Sequence, residues 1–130
     1  MRFEKSVEDR YSVIKPMEEK VDSRISPQLK SEFIQLNAQG TKNIVLNLDE
    51  VEYVDSSGLS AILTANRLCG AAGGVLVITN LNPHVEKLVK ISHLESVLNV
   101  LPTEEEGREA VYMMELENEI QEEEENKSQS

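Results

Sequence analysis

The chain has 130 residues, a length that suits a single domain, with 39% hydrophobic and 28% charged residues. Its formal net charge of -11 leaves no Lys/Arg cluster for phosphate contacts, which argues against nucleic-acid binding. With 4% aromatic residues the core must be aliphatic, and the single cysteine, Cys69, excludes an internal disulfide.

Phe3 to Val7 and Tyr11 to Pro16 read as two short strands, and Glu8-Asp9-Arg10 can turn between them as a hairpin. Glu18 to Ser23 reads as a polar loop. Ser26-Pro27 is a helix start: Ser26 can cap free N–H groups, and Pro27 suits the first helical position because it has no N–H to leave unpaired. Leu29, Phe33 and Leu36 recur at helical spacing, and Asn37 to Gly40 ends the helix.

Ile44 to Leu48 is the most strand-like run. It leads into Val51 to Gly58 and a helix from Ser57 to Gly70, whose pattern is Leu59, Ile62, Leu63, Asn66 and Cys69. On that face Cys69 reads as a small core residue. Gly70, Gly73 and Gly74 close the helix, and the continuous apolar run Val75 to Ile78 suits a strand buried on both faces. Asn82-Pro83 repeats the cap-plus-proline start, with Val85, Leu88 and Val89 as the stripe of a third helix. Val97 to Leu101 is a short strand broken by Pro102. Thr103 to Glu106 is a capping box, opening a last helix expected to bury Ala110, Val111, Met113 and Met114. Residues 115 to 130 hold seven Glu against one Lys, and residues 116–130 read as an acidic, disordered tail beyond a domain of residues 1–115. The order β-β-α-β-α-β-α-β-α implies an α/β domain with a mixed, mostly parallel sheet.

The start of the chain, Met1-Arg2-Phe3-Glu4-Lys5, lacks the apolar stretch of a signal peptide, and no apolar run approaches the ~20 residues of a membrane span. A cytoplasmic protein without membrane insertion is therefore expected. His84 and His93 have no Cys pair beside them, so no metal site is expected. His84 reads as solvent-facing and His93 as a helix-end residue. The Gly-x-Ser-x-Gly turn of a serine hydrolase and the phosphate-cradling Gly-x-x-x-x-Gly-Lys loop are both missing.

What remains is Asp55-Ser56-Ser57-Gly58, between a strand and a helix. One reading is structural: Ser56 or Ser57 caps the helix, Asp55 favours its positive end, and Gly58 permits close packing. The other is a serine displayed for modification, since a phosphate there adds roughly 1.5 to 2 negative charges beside Asp55.

These residues resemble the STAS domain family, and more closely the bacterial anti-sigma factor antagonists. Asn43 to Leu48 resembles the family's central strand and Val51 to Leu59 its signature loop. Gly73 to Ile78 and Asn82 to Leu88 resemble the segments that follow. Val21-Asp22 and Leu29-Lys30 resemble the approach to the first helix. The likeness spans residues 5 to 115. The family often has Gly where this chain has Glu19, and Gly near the end of the third helix, where it has His93.

The resemblance implies a regulator and not an enzyme, with no cofactor. Its partners would be an anti-sigma factor that is also a serine kinase, and a phosphatase. Ser56 would be the phosphorylation site, and Asp22, Asp55, Ser56, Ser57 and Gly58 the partner-binding residues. The alternative is a STAS binding subunit of a signalling or lipid-transport complex that is never phosphorylated. A catalytic role for Ser56 as nucleophile is the third reading, and it lacks a base.

Overall fold

The computed structural model describes residues 1–128. Seven strands and four helices follow in chain order: β1 (Phe3–Val7), β2 (Ser12–Pro16), β3 (Lys20–Val21), α1 (Ser26–Ala38), β4 (Ile44–Asn47), β5 (Tyr53–Val54), α2 (Ser56–Ala71), β6 (Leu76–Thr79), α3 (Pro83–Ile91), β7 (Asn99–Leu101) and α4 (Glu104–Ser128). The main sheet has the order β1-β2-β4-β6-β7. β1 and β2 form the antiparallel hairpin, and β2, β4, β6 and β7 are parallel.

The register explains the layers. Ile14, Leu46 and Ile78 lie side by side across the sheet, and so do Val13, Val45 and Val77. Because neighbouring residues on a strand point to opposite faces, the two rows serve different cores. The first row packs against Leu29, Phe33 and Leu36 of α1, Ala61, Ile62, Ala65 and Cys69 of α2, and Val85 and Val89 of α3. The second row meets Val111 of α4. Gly107 lets α4 approach that closely, since a Cβ there would lie 2.8 Å from Thr79 Cγ2. Burial pushes the Cys69 thiol up to about 11, which makes it an inert core residue.

Three local readings need correction. Ser26 is not the cap of α1: that position is Ile25, which has no side-chain cap bond, and Ser26 is buried inside the first turn. The expected loop at Glu18 to Ser23 contains β3, which pairs in parallel with β5. Met113 and Met114 are 52% and 39% exposed. Met113 lies about 160° around the helix from Val111 and faces water, whereas Met114, about 60° from Val111, sits at the edge of the inward face beside a cleft lined by Val75, Val77 and Leu101.

The last segment also differs from the unstructured tail expected from composition. α4 continues as helix through Ser128, past residue 115, and Gln129 and Ser130 lie outside the described residues. Thr103 starts it, its Oγ1 accepting from Glu106 N–H at 3.2 Å. Glu is a good helix former, and Glu104, Glu105 and Glu106 sit at the positive end of the helix. Glu115 accepts from Asn43 at 2.6 Å and pairs with Lys42, and Glu119 pairs with Arg10 at 2.9 Å. Residues 122 to 128 are exposed. Removing 122 to 130 should therefore change unfolding free energy by no more than about 0.5 kcal/mol in urea titration. A loss of several kcal/mol would show that this segment packs.

Candidate functional site

The short β3–β5 ladder builds the site. Lys20 pairs with Tyr53 and Val21 with Val54, and Asp55 N–H then donates to Val21 O at 3.2 Å. Asp22 and Asp55 are thereby carried to the same level of the ladder. α2 is the crossover between parallel β4 and β6, so it begins beyond the C-terminal end of β4, where Asp55 stands.

Asp55 is the cap of α2, not Ser56 or Ser57. Its extended backbone (φ -92°, ψ -175°) aims Oδ1 into the first turn, where it accepts from Gly58 N–H at 2.9 Å and from the Ser57 hydroxyl at 2.6 Å. Those bonds, Ser57 first and Gly58 next, hold the Asp55 carboxyl below its ordinary value, against its partial removal from water and, less, the charge of Asp22. Asp22 is lowered as well, chiefly by hydrogen bonds from Arg24, whose guanidinium lies 2.9 Å away.

The two serines have different surroundings. Ser57 Oγ is 3.0 Å from Ser26 Oγ, which in turn is 2.7 Å from the carbonyl oxygen of Asp22. Three contacts share two hydroxyl protons: Ser57 donates its proton to Asp55, and the Ser26 proton is divided between the Asp22 carbonyl and Ser57 Oγ, so the Ser57 side chain sits within a chain running from Asp55 to Asp22. Ser56, at the first helical position, is exposed, and among the described residues its hydroxyl has no hydrogen-bond partner. Gly58 is buried against β3: a Cβ there would lie 2.5 Å from Val21 O and 2.8 Å from Val54 Cγ1.

An ionised cap with a depressed pKa stabilises the fold above the unfolded-state value and loses that contribution as pH falls through its folded value. Asn also caps but does not titrate. The stability advantage of wild type over Asp55→Asn should accordingly shrink as pH drops below about 4. Urea titrations at a series of pH values read this directly, and a pH-independent difference would contradict it.

A STAS domain family model matches residues 3–107. The chain belongs to the STAS domain family. BtrV of Bordetella bronchiseptica, named for anti-sigma factor antagonism, is 31% identical over 85 residues, covering 65% of this chain and 73% of its own. An anti-sigma-B factor antagonist of Staphylococcus aureus is 24% identical over 100 residues, 77% of this chain and 92% of its own. Among solved structures, the anti-sigma factor antagonist SpoIIAA in its unphosphorylated form superposes with a TM-score of 0.74 at 25% identity, over 85% of this chain and 96% of that one. The phosphorylated form from Bacillus superposes at 0.67 and 25% identity, over 85% of this chain and 99% of that one.

Within this STAS domain the structure gathers Asp22, Asp55, Ser56, Ser57 and Gly58 at one end of the sheet. It adds residues that the sequence did not place at this site. Ser26 joins the hydroxyl chain. Tyr53, 42% exposed on β5, stacks on His84 at the start of α3, with ring centroids 5.7 Å apart and planes at 26°. In a chain with few aromatics, a tyrosine two residues before Asp55 was the available signal. His93 takes the left-handed conformation (φ 59°) at the position where the family often has Gly. Among the described residues no helix is long and apolar enough to cross a membrane.

Proposed function

We propose that this STAS protein is an anti-sigma factor antagonist of the partner-switching kind. The surface around Asp22, Asp55 and Ser56 binds an anti-sigma factor that is also a serine kinase, and the sigma factor is thereby released. Phosphorylation of Ser56 ends the interaction, and a phosphatase restores it. The observation that carries this reading is the contrast between two adjacent serines: Ser57 is tied to Asp55 and Ser26, while Ser56 is exposed and, among the described residues, unbonded. A phosphate on Ser56 would gain from the N–H groups of α2 yet stand beside Asp55 and near Asp22, adding roughly 1.5 to 2 negative charges to the docking surface. The arrangement does not favour nucleophilic catalysis. Among the described residues no base is hydrogen-bonded to Ser56, and a carboxyl depressed below its ordinary value, as Asp55 is, makes a weak one.

The test is displacement. Purified chain added to a preformed complex of the cognate anti-sigma and sigma factors should free the sigma factor, and ATP should reverse the release as phosphate accumulates. A sigma factor that stays bound at saturating antagonist would contradict the proposal. Release that ATP does not reverse would leave a constitutive STAS binding subunit.

A further inference from the structure

α4 carries an apolar face that the rest of the domain does not cover. Its inward row is Gly107, Val111 and Glu115, the last bonded to Asn43. Tyr112, Met113, Leu116 and Ile120 are 56%, 52%, 37% and 50% exposed. At roughly 100° per residue they share one arc of about 100°, turned away from the sheet. Arg10 lies over the Tyr112 ring, 5.9 Å from its centroid, which leaves Met113, Leu116 and Ile120 as a stripe that a helix facing only water has no use for, and contiguous apolar surface of this kind marks an interaction site.

The chemistry of the occupant can be read from the edges of the stripe. Met113, Leu116 and Ile120 are spaced three and four apart, as in the seam of a helix pair. Glu117 and Glu124 flank it on one side and Glu119 on the other; all three are exposed, and Glu119 is already paired with Arg10 at 2.9 Å, so Glu117 and Glu124 carry most of the negative charge at its edges. An antiparallel second copy would set Glu117 and Glu124 against their own equivalents, and a parallel one would set Glu124 against Glu119, which disfavours self-pairing. An anionic membrane surface would repel them as well. A helix with its own apolar seam and Lys or Arg at the flanks meets both requirements.

We infer that the outer face of α4 is a docking seam for a basic amphipathic helix of another protein. This seam is separate from the Ser56 surface. α4 starts beyond the C-terminal end of β7 and by Glu115 has reached Lys42 and Asn43, just before β4. Ser56 lies beyond the opposite end of β4, so both surfaces can be occupied together.

The probe is a labelled synthetic helix with Ile and Leu at its seam positions and Lys at the flanks, titrated with the full chain by fluorescence anisotropy. Saturable binding is expected, weakened at least tenfold by the double substitution Leu116→Ser and Ile120→Ser and unchanged by Ser56→Asp. The seam variant keeps every charge, and circular dichroism confirms that its helix content is retained. Equal binding by wild type and seam variant would reduce the interaction to charge attraction and overturn the inference, as would no binding at all. Equally tight binding of the same probe with Glu at the flanks would also overturn it. A concentration-dependent dimer in sedimentation, dissolved by the same double substitution, would assign the seam to a second copy instead.

Discussion

Ser56→Asp is expected to bind the anti-sigma factor at least tenfold more weakly than Ser56→Ala, about 1.4 kcal/mol. The substitution puts a third carboxylate beside Asp55 and Asp22 on one exposed surface. The fold is not the source of the effect: an acidic residue in the first turn of α2 suits the positive helix end, so stability should hold or rise slightly. Titration of both variants with the partner at one fixed salt concentration reads the difference. Asp carries less charge than phosphoserine, so tenfold is a lower bound for the modified protein. Equal affinities would make Ser56 an ordinary helix-start residue.

Gly58→Ala is expected to destabilise the domain by about 3 kcal/mol, reversing the usual advantage of Ala over Gly inside a helix. The added Cβ would sit 2.5 Å from the backbone oxygen of Val21, which is fixed by the β3–β5 ladder and cannot swing aside. α2 would have to move away from β3, and Asp22 and Asp55 would lose their common level. Gly70, in the same helix, is the internal control. A Cβ there meets nothing within 4 Å, so Gly70→Ala should stabilise by up to about 1 kcal/mol. Urea unfolding of the two variants should move in opposite directions. A Gly58→Ala protein as stable as wild type would contradict the close approach.

Patterns that depend on local chemistry were legible in the sequence. Asn82 caps α3 through Val85 N–H at 2.8 Å, as Asn-Pro before an apolar stripe indicates. The apolar run ending at Ile78 became a central strand buried on both faces. Features set by distant partners were not legible. β3 and β5 have two residues each and exist only through pairing across some thirty residues of chain, which no periodicity announces. The cap of α2 had three polar candidates in a row, and the choice of Asp55 depends on the backbone direction that the ladder imposes. Ser26 had the chemistry of a cap, but its hydroxyl turns back to Asp22 and across to Ser57. Met113 and Met114 looked like core by type, yet only the sheet decides which side of α4 is inside. The same holds at the site: that a serine here is special could be read from Asp55-Ser56-Ser57-Gly58, but the difference between its two serines needed the fold.

The most direct measurement is the position of the phosphate. The full chain, Ser56→Ala and a peptide of residues 51 to 63 are each incubated with the co-purified partner and ATP, and sites are mapped by fragmentation. The account predicts one phosphate on the full chain, at Ser56, none on Ser56→Ala, and little on the peptide, which lacks the β3–β5 ladder and the Ser26 contact that shape the loop. Label chiefly on Ser57, or undiminished label on Ser56→Ala, would contradict it.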